Sequence, residues 1–221
     1  SRTPESILAE VEELATMPDF KGNISDLGAP TANMYRMKGR DRSLCAVCRR
    51  HSCLFPSRCE NMDTSHAELL SLYNKVLKIP GIKNTYIGSG IRYDLFLDKD
   101  GYLDSTSKPY LEQLIAKHTS GRLKVAPEHT SEKVLKLMRK PSFRKFRQFK
   151  TEFDLINKKY ALNQQLIPYF ISSHPGSTEA DMQELAREIK ELNIRPEQVQ
   201  DFTPTPMTLA SAMYYTGINP Y

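Results

Sequence analysis

The 221 residues predict an α/β chain built on a mainly parallel sheet. Three observations carry that prediction. Short apolar strands alternate with amphipathic helices, no low-complexity linker interrupts the alternation, and Gly, Ser, Thr, His and Pro gather at the strand ends. Hydrophobic residues make up 39% and charged residues 26%, a composition that can bury a core and is unlike a disordered chain. No apolar run approaches the ~20 residues that span a bilayer. No charged, apolar and small-residue succession opens the chain, so a cytoplasmic protein without membrane contact is expected.

The elements follow in order. Thr3 caps a first helix, with Pro4 at its first position and Glu5 in its first turn; Ile7, Leu8, Val11 and Leu14 share one face. A strand at 22–25 leads into the turn-rich stretch 26–33. Segment 35–63 has neither helical nor strand periodicity and holds every cysteine, so it reads as an irregular insertion within a single domain of 1–221. Ser65-His-Ala-Glu68 has capping-box spacing and opens a helix to about Lys78. A strand at 84–89 precedes a helix at about 108–118. The strand at 121–126 ends in Pro127-Glu-His129, with a helix from near Thr130 and a longer one over about 142–160. A strand at 166–172, the turn His174-Pro-Gly-Ser177, and a helix capped by Thr178-Glu-Ala-Asp181 and running to about Leu192 come next. The last strand, 199–202, runs into Thr203-Pro-Thr-Pro206.

In parallel barrels, reactive groups sit on loops leaving the carboxyl ends of strands. Polar residues cluster there at 26–33, 89–94, 124–129, 172–177 and 201–205, which points to one shared cavity. The plainer alternative is that α/β loops are polar in any case. His129 and His174 gain weight as ligand contacts from standing together at strand ends. His118, at a helix C-terminus, needs only to complement the helix dipole.

The formal net charge of +5 is concentrated. Segment 36–50 sets six basic residues against Asp41, and 139–150 carries six with no acid. Aromatics among cations suit nucleic acid. The favoured reading of 139–150 is a solvated helix face anchored by Phe143, Phe146 and Phe149.

Cys45, Cys48, Cys53 and Cys59 lie within fifteen residues at x2, x4 and x5 spacings. In a chain without a secretory signal, such clustering suggests metal ligands more than disulfides. Arg49, Arg50 and Arg58 would offset the mutual repulsion of four thiolates, and His51 and His66 are substitute ligands. Zinc and an iron–sulfur cluster both accept four cysteines; four free or buried thiols are the alternative.

The stretches DLGAPTANMY (26–35), SCLFPSRC (52–59), SGIRYDL (89–95), LKVAPEHTS (123–131), FISSHPGST (170–178), PEQVQDFTPTP (196–206) and MYYTG (213–217) resemble the YgiQ-like family of radical S-adenosylmethionine proteins nearly end to end. The resemblance implies a partial (β/α)6 parallel barrel of radical S-adenosylmethionine type. It also implies S-adenosylmethionine, a 4Fe–4S cluster, and an electron donor such as a flavodoxin or ferredoxin. A 5′-deoxyadenosyl radical would then abstract hydrogen from a substrate the sequence does not name. The family's Cys-x3-Cys-x2-Cys loop is not among these residues, and the opening SRTPESILAEVEEL resembles the segment that follows it. A chain cut just after the cluster loop, inactive alone, is therefore expected. Ala29 stands where the family more often has glycine. Gly39 lies near the expected first cysteine of the second metal group, where Cys45 serves instead.

Carried over by position, Gly28, Pro30, Thr31 and Asn33 correspond to the glycine motif at the methionine amino group. Ser89, Arg92, Lys124 and Glu128 correspond to carboxylate and ribose contacts; Ser172, Ser173, His174 and Gly176 lie near the adenosine; Asp201 and Thr203, with Pro204, close the adenine side. The competing expectation is a zinc-binding, basic RNA-binding module without catalysis, which would show steep salt dependence. Nucleic acid is the less favoured partner.

Overall fold

The computed structural model describes residues 2–28 and 31–220. Helix α1 (Pro4–Thr16) begins as expected, Thr3 accepting from the Ser6 amide at 3.2 Å. It is followed by β1 (Asn23–Ile24), β2 (Lys38–Gly39), α2 (Arg42–Ala46), β3 (Met62–Asp63), α3 (Ala67–Val76) and β4 (Asn84–Thr85). Then come α4 (Lys108–Lys117), β5 (Arg122–Glu128), α5 (Glu132–Leu137), α6 (Phe143–Lys159), β6 (Gln165–Ser172), α7 (Glu179–Glu191), β7 (Gln198–Asp201) and α8 (Leu209–Thr216).

The principal pairings are parallel. β1 pairs with β4, and β5, β6 and β7 form a three-stranded sheet in that order. A single parallel bridge between Ile91 and Val125 links the stretch after β4 to β5. The carboxyl ends of the strands therefore lie on one side.

Core packing follows the helix faces. Phe143, Phe146, Phe149, Phe153 and Ile156 of α6 are buried at helical spacing, as expected for Phe143, Phe146 and Phe149. They pack against α4 and a 3-10 turn at Tyr93–Phe96. Burying each such ring contributes about 2–3 kcal/mol before entropy is subtracted.

Several expectations need correction. The strand foreseen over 84–89 pairs only at Asn84–Thr85, because Gly88 and Ser89 turn to bond Asp26. The Ser65–Glu68 capping box is absent: His66 occupies the cap and Ser65 Oγ accepts only from Ala67 N. Segment 35–63 is less irregular than its pattern, since β2 and β3 pair antiparallel and clip its two ends together. The helix α8 had no counterpart in the sequence reading. By contrast, the Thr178–Asp181 capping box is complete. Among the described residues no helix is long and apolar enough to cross a membrane.

Candidate functional site

Two cavities open at the carboxyl ends of the parallel strands. One, of about 490 Å³, is lined by Thr31, Ser89, Arg92, Lys124, Glu128 and Lys140 among others. The second, of about 430 Å³, is lined by Glu128, Lys140, Tyr169, His174, Asp201 and Thr203 among others. Glu128 and Lys140 belong to both, so their ion pair, 2.8 Å long, stands in the common wall. Both volumes lie in the range of small-molecule sites. A third cavity, about 460 Å³ and largely apolar, lies beside α1 and includes Gly28, Thr31 and Leu69.

Local backbone geometry places Glu128. The β5–β6 register shifts between Val125 and Glu128, and Glu128 takes a left-handed conformation at φ 69°. A bulge of this kind re-aims a side chain at the end of a strand. Glu128 Oε1 accepts from Lys140 Nζ, whereas Oε2 is buried with no hydrogen-bond partner. An unsatisfied buried carboxylate oxygen is costly. It is an acceptor suited to hydroxyl donors of a ligand.

On the β1 side, Asp26 ties two strand ends together. Its Oδ1 accepts from the Gly28 and Gly88 amides at 3.0 and 3.1 Å, and its Oδ2 from Ser89 Oγ. On the β6 side, Ser172 Oγ donates to Asp201 Oδ1 and binds β6 to β7 at the cavity rim. Burial pushes the His174 imidazole below its ordinary pKa, with the Pro175 carbonyl at its Nδ1 opposing the shift. His129 is depressed for the same leading reason; its Nδ1 accepts from the Thr130 and Ser131 amides. His118 is also buried, and its Nδ1 donates to the Thr85 carbonyl at 2.7 Å, so it does more than complement a helix end.

The structure gathers Thr31, Ser89, Arg92, Lys124, Glu128, His174, Asp201 and Thr203 around the two cavities. Others fall elsewhere. Asn33 is completely buried and clamps Arg92: its Oδ1 accepts from Arg92 N at 2.7 Å and its Nδ2 donates to Arg92 O at 2.9 Å. It therefore supports the loop and does not face a ligand. Gly28 lines the apolar cavity. Gly176, at φ 86°, has a missing Cβ that would stand 2.5 Å from Leu137 Cδ1, so it packs against the end of α5. Ser173 is exposed and left-handed, and Ser172 is occupied by Asp201. Arg92 Nε and Nη2 already fork onto Asp94 at 3.0 and 2.7 Å, which leaves Lys124 as the better carboxylate partner. Pro30 and its neighbour Ala29 lie outside the described residues. Lys140 and Asp26 were not singled out from the sequence. Only a basic residue close after a strand-end acid hinted at Lys140.

Cys45, Cys48 and Cys53 are exposed and Cys59 is half-buried, all as free thiols. Among the described residues, no three His, Cys, Asp or Glu side chains group as a metal-holding set. The soft donors suit zinc or an iron–sulfur cluster, but the arrangement is not closed around one; in such segments the ion itself gathers the ligands. A Cβ on Gly39 would fall 2.2 Å from Cys45 Sγ, so that sulfur fills the space a side chain at 39 would take. Asn61 Nδ2 donates to the same sulfur at 3.2 Å.

The fold and site thus define an α/β protein with ligand-sized cavities at the ends of sequential parallel strands. Over its whole length the chain is similar to UPF0313 proteins. It is 56% identical to those of Bacteroides thetaiotaomicron and Porphyromonas gingivalis and 47% identical to that of Methanocella arvoryzae. All of this chain is covered, against 36%, 35% and 36% of those proteins, so it spans about a third of their length. Residues 197–221 match a family described as a domain of unknown function (DUF3362).

Proposed function

We propose that this chain is the cofactor-binding core of a radical S-adenosylmethionine protein of YgiQ type, its strands forming part of a (β/α)6 barrel. The observation that carries the reading is Glu128 Oε2, an orphaned buried acceptor in the wall between two cavities at parallel strand ends. Glu128 would accept from ribose hydroxyls, and Lys140 would orient it. Lys124 would pair with the methionine carboxylate. Backbone groups around Thr31 would meet the amino group, and Asp201, Thr203 and His174 would line the adenine side. When bound beside a reduced 4Fe–4S cluster, S-adenosylmethionine supplies a 5′-deoxyadenosyl radical that takes a hydrogen atom from substrate. What the chain's own residues contribute is binding, orientation and exclusion of water.

The cluster's Cys-x3-Cys-x2-Cys ligands are not in these 221 residues; in this reading they lie upstream, and a flavodoxin or ferredoxin supplies the electron. The thiols of Cys45, Cys48, Cys53 and Cys59 would hold a second metal, zinc or iron–sulfur, and no step is assigned to it. The test uses the full-length protein under anaerobic reduction. Cleavage of S-adenosylmethionine to 5′-deoxyadenosine is expected, and Glu128→Gln should weaken S-adenosylmethionine binding about tenfold by removing a charge-assisted acceptor. Unchanged affinity in that variant, or no cleavage above a variant lacking the upstream cysteines, overturns the reading.

A further inference from the structure

Beside the strand-end cavities lies a smaller pocket of about 290 Å³, whose walls come from the cysteine-rich segment and from the end of α5. Its polar walls are Arg50, His51, Lys136, Arg139 and Asn219, and among the described residues no acidic one lines it. Arg50 is held in place by its own loop: Nε and Nη2 donate to the Ser52 and Ser57 carbonyls. At the end of α5 the chain turns through a left-handed Arg139 at φ 56°, fixed by a bond from Lys140 N to Leu135 O at 2.9 Å. The turn carries the Arg139 guanidinium over the Phe55 ring, 5.5 Å from its centroid. Arg50 and Arg139 are thus held by backbone carbonyls and by stacking, while Lys136 reaches the pocket from the exposed face of α5.

The turn has a second consequence. Arg139 lines both this pocket and the 430 Å³ cavity, while the next residue, Lys140, reaches Glu128 in the wall of the two larger cavities. A ligand in the basic pocket would therefore have its far end close to the strand ends.

We propose that this pocket is an anion site that holds the phosphate or pyrophosphate group of the substrate. Three permanent cations exceed what one carboxylate balances, whereas a phosphate ester carries about two negative charges and planar guanidinium groups match its oxygens in pairs. The assignment to substrate rests on the cofactor reading of the larger cavities; anion binding at the pocket does not.

Inorganic pyrophosphate titrated calorimetrically into the full-length protein at low salt is the test. Saturable binding, one per chain, is expected. Lys136→Gln and Arg139→Gln should each weaken it about tenfold, the worth of one charge-assisted contact. Arg144→Gln, on α6 and bonded to the Asp100 carbonyl outside the pocket, should leave it unchanged. Circular dichroism melts of each variant separate lost binding from lost folding. No saturable binding, or equal weakening by Arg144→Gln, overturns the site in favour of diffuse attraction to a basic surface. An RNA oligonucleotide that binds far more tightly than pyrophosphate, and loses as much from Arg144→Gln as from Arg139→Gln, overturns it in favour of a nucleic-acid face. S-adenosylmethionine affinity in the Lys136→Gln variant, whose residue lines the basic pocket and neither strand-end cavity, should be retained. Its loss in parallel with pyrophosphate would make the pocket part of the cofactor site and overturn the substrate assignment. Failure of the cofactor reading shows instead as absent S-adenosylmethionine binding with pyrophosphate binding intact.

Discussion

His66 should make the protein lose stability between about pH 6.5 and pH 4. Its ring is 1% exposed and lies flat between Phe96 and Tyr110, with centroids 4.7 and 4.9 Å away. Nδ1 donates to Ser107 Oγ at 3.0 Å, and Nε2 faces the Asn33 amide nitrogen at 3.4 Å, so the neutral ring suits its surroundings and a proton on Nε2 would meet another donor. Burial pushes its pKa down from 6.5 to about 4, against a smaller opposing pull from Asp104. A histidine with a depressed folded pKa contributes stability above its unfolded pKa and withdraws it as pH falls toward the folded one. Over the full window the loss is about 3 kcal/mol, and from about pH 7 to about pH 5 it is about 2 kcal/mol. The assay is urea unfolding at those two pH values for wild type and His66→Phe, whose ring preserves the stack but does not titrate. His118, His129 and His174 are depressed too, so both proteins will weaken in acid, the wild type by about 2 kcal/mol more. Parallel stability–pH profiles would refute the reasoning.

Other expectations follow from the same geometry. Asn33→Ala leaves the Arg92 amide without its partner and its carbonyl with only the Leu95 amide at 3.3 Å, and should cost about 1–3 kcal/mol by denaturant titration; a loss below about 0.5 kcal/mol would mean that water replaces the clamp. Gly22→Ala forces a Cβ to 2.8 Å from the Gly81 carbonyl oxygen at φ 89°, and should lower stability by about 2 kcal/mol, read as a shifted urea midpoint. Protein purified without oxygen should carry zinc, or iron with matching sulfide, that is lost in Cys48→Ser. Metal-free but folded wild type would remove the metal from the cysteine segment.

What the sequence made legible was whatever local chemistry decides. The Thr3 and Thr178 caps are set by residues three positions away, and the phenylalanines of α6 by helical period, so both were readable. Strand-end clusters marked five loops, and the cavities lie among them. The partnerships that shape the rim were not readable. Asp26 meets Gly88 and Ser89 from more than sixty positions away, and Asn33 meets Arg92 at a separation of 59, with no periodicity to announce either. A polar residue in a glycine-rich loop, such as Asn33, looks the same in sequence whether it faces a ligand or the loop's own backbone. α8 escaped because its Leu-Ala-Ser-Ala-Met-Tyr-Tyr run is short and largely apolar all round.

Three non-glycine residues at the strand ends, Thr31, Glu128 and Ser173, hold left-handed backbone, at φ 60°, 69° and 58°. Each such residue costs about 1–2 kcal/mol relative to an ordinary conformation. The rim is thus a spring wound during folding. Under the proposed function, a ligand would meet loops already bent to receive it, and drift toward glycine there would make a sturdier protein with a slacker grip.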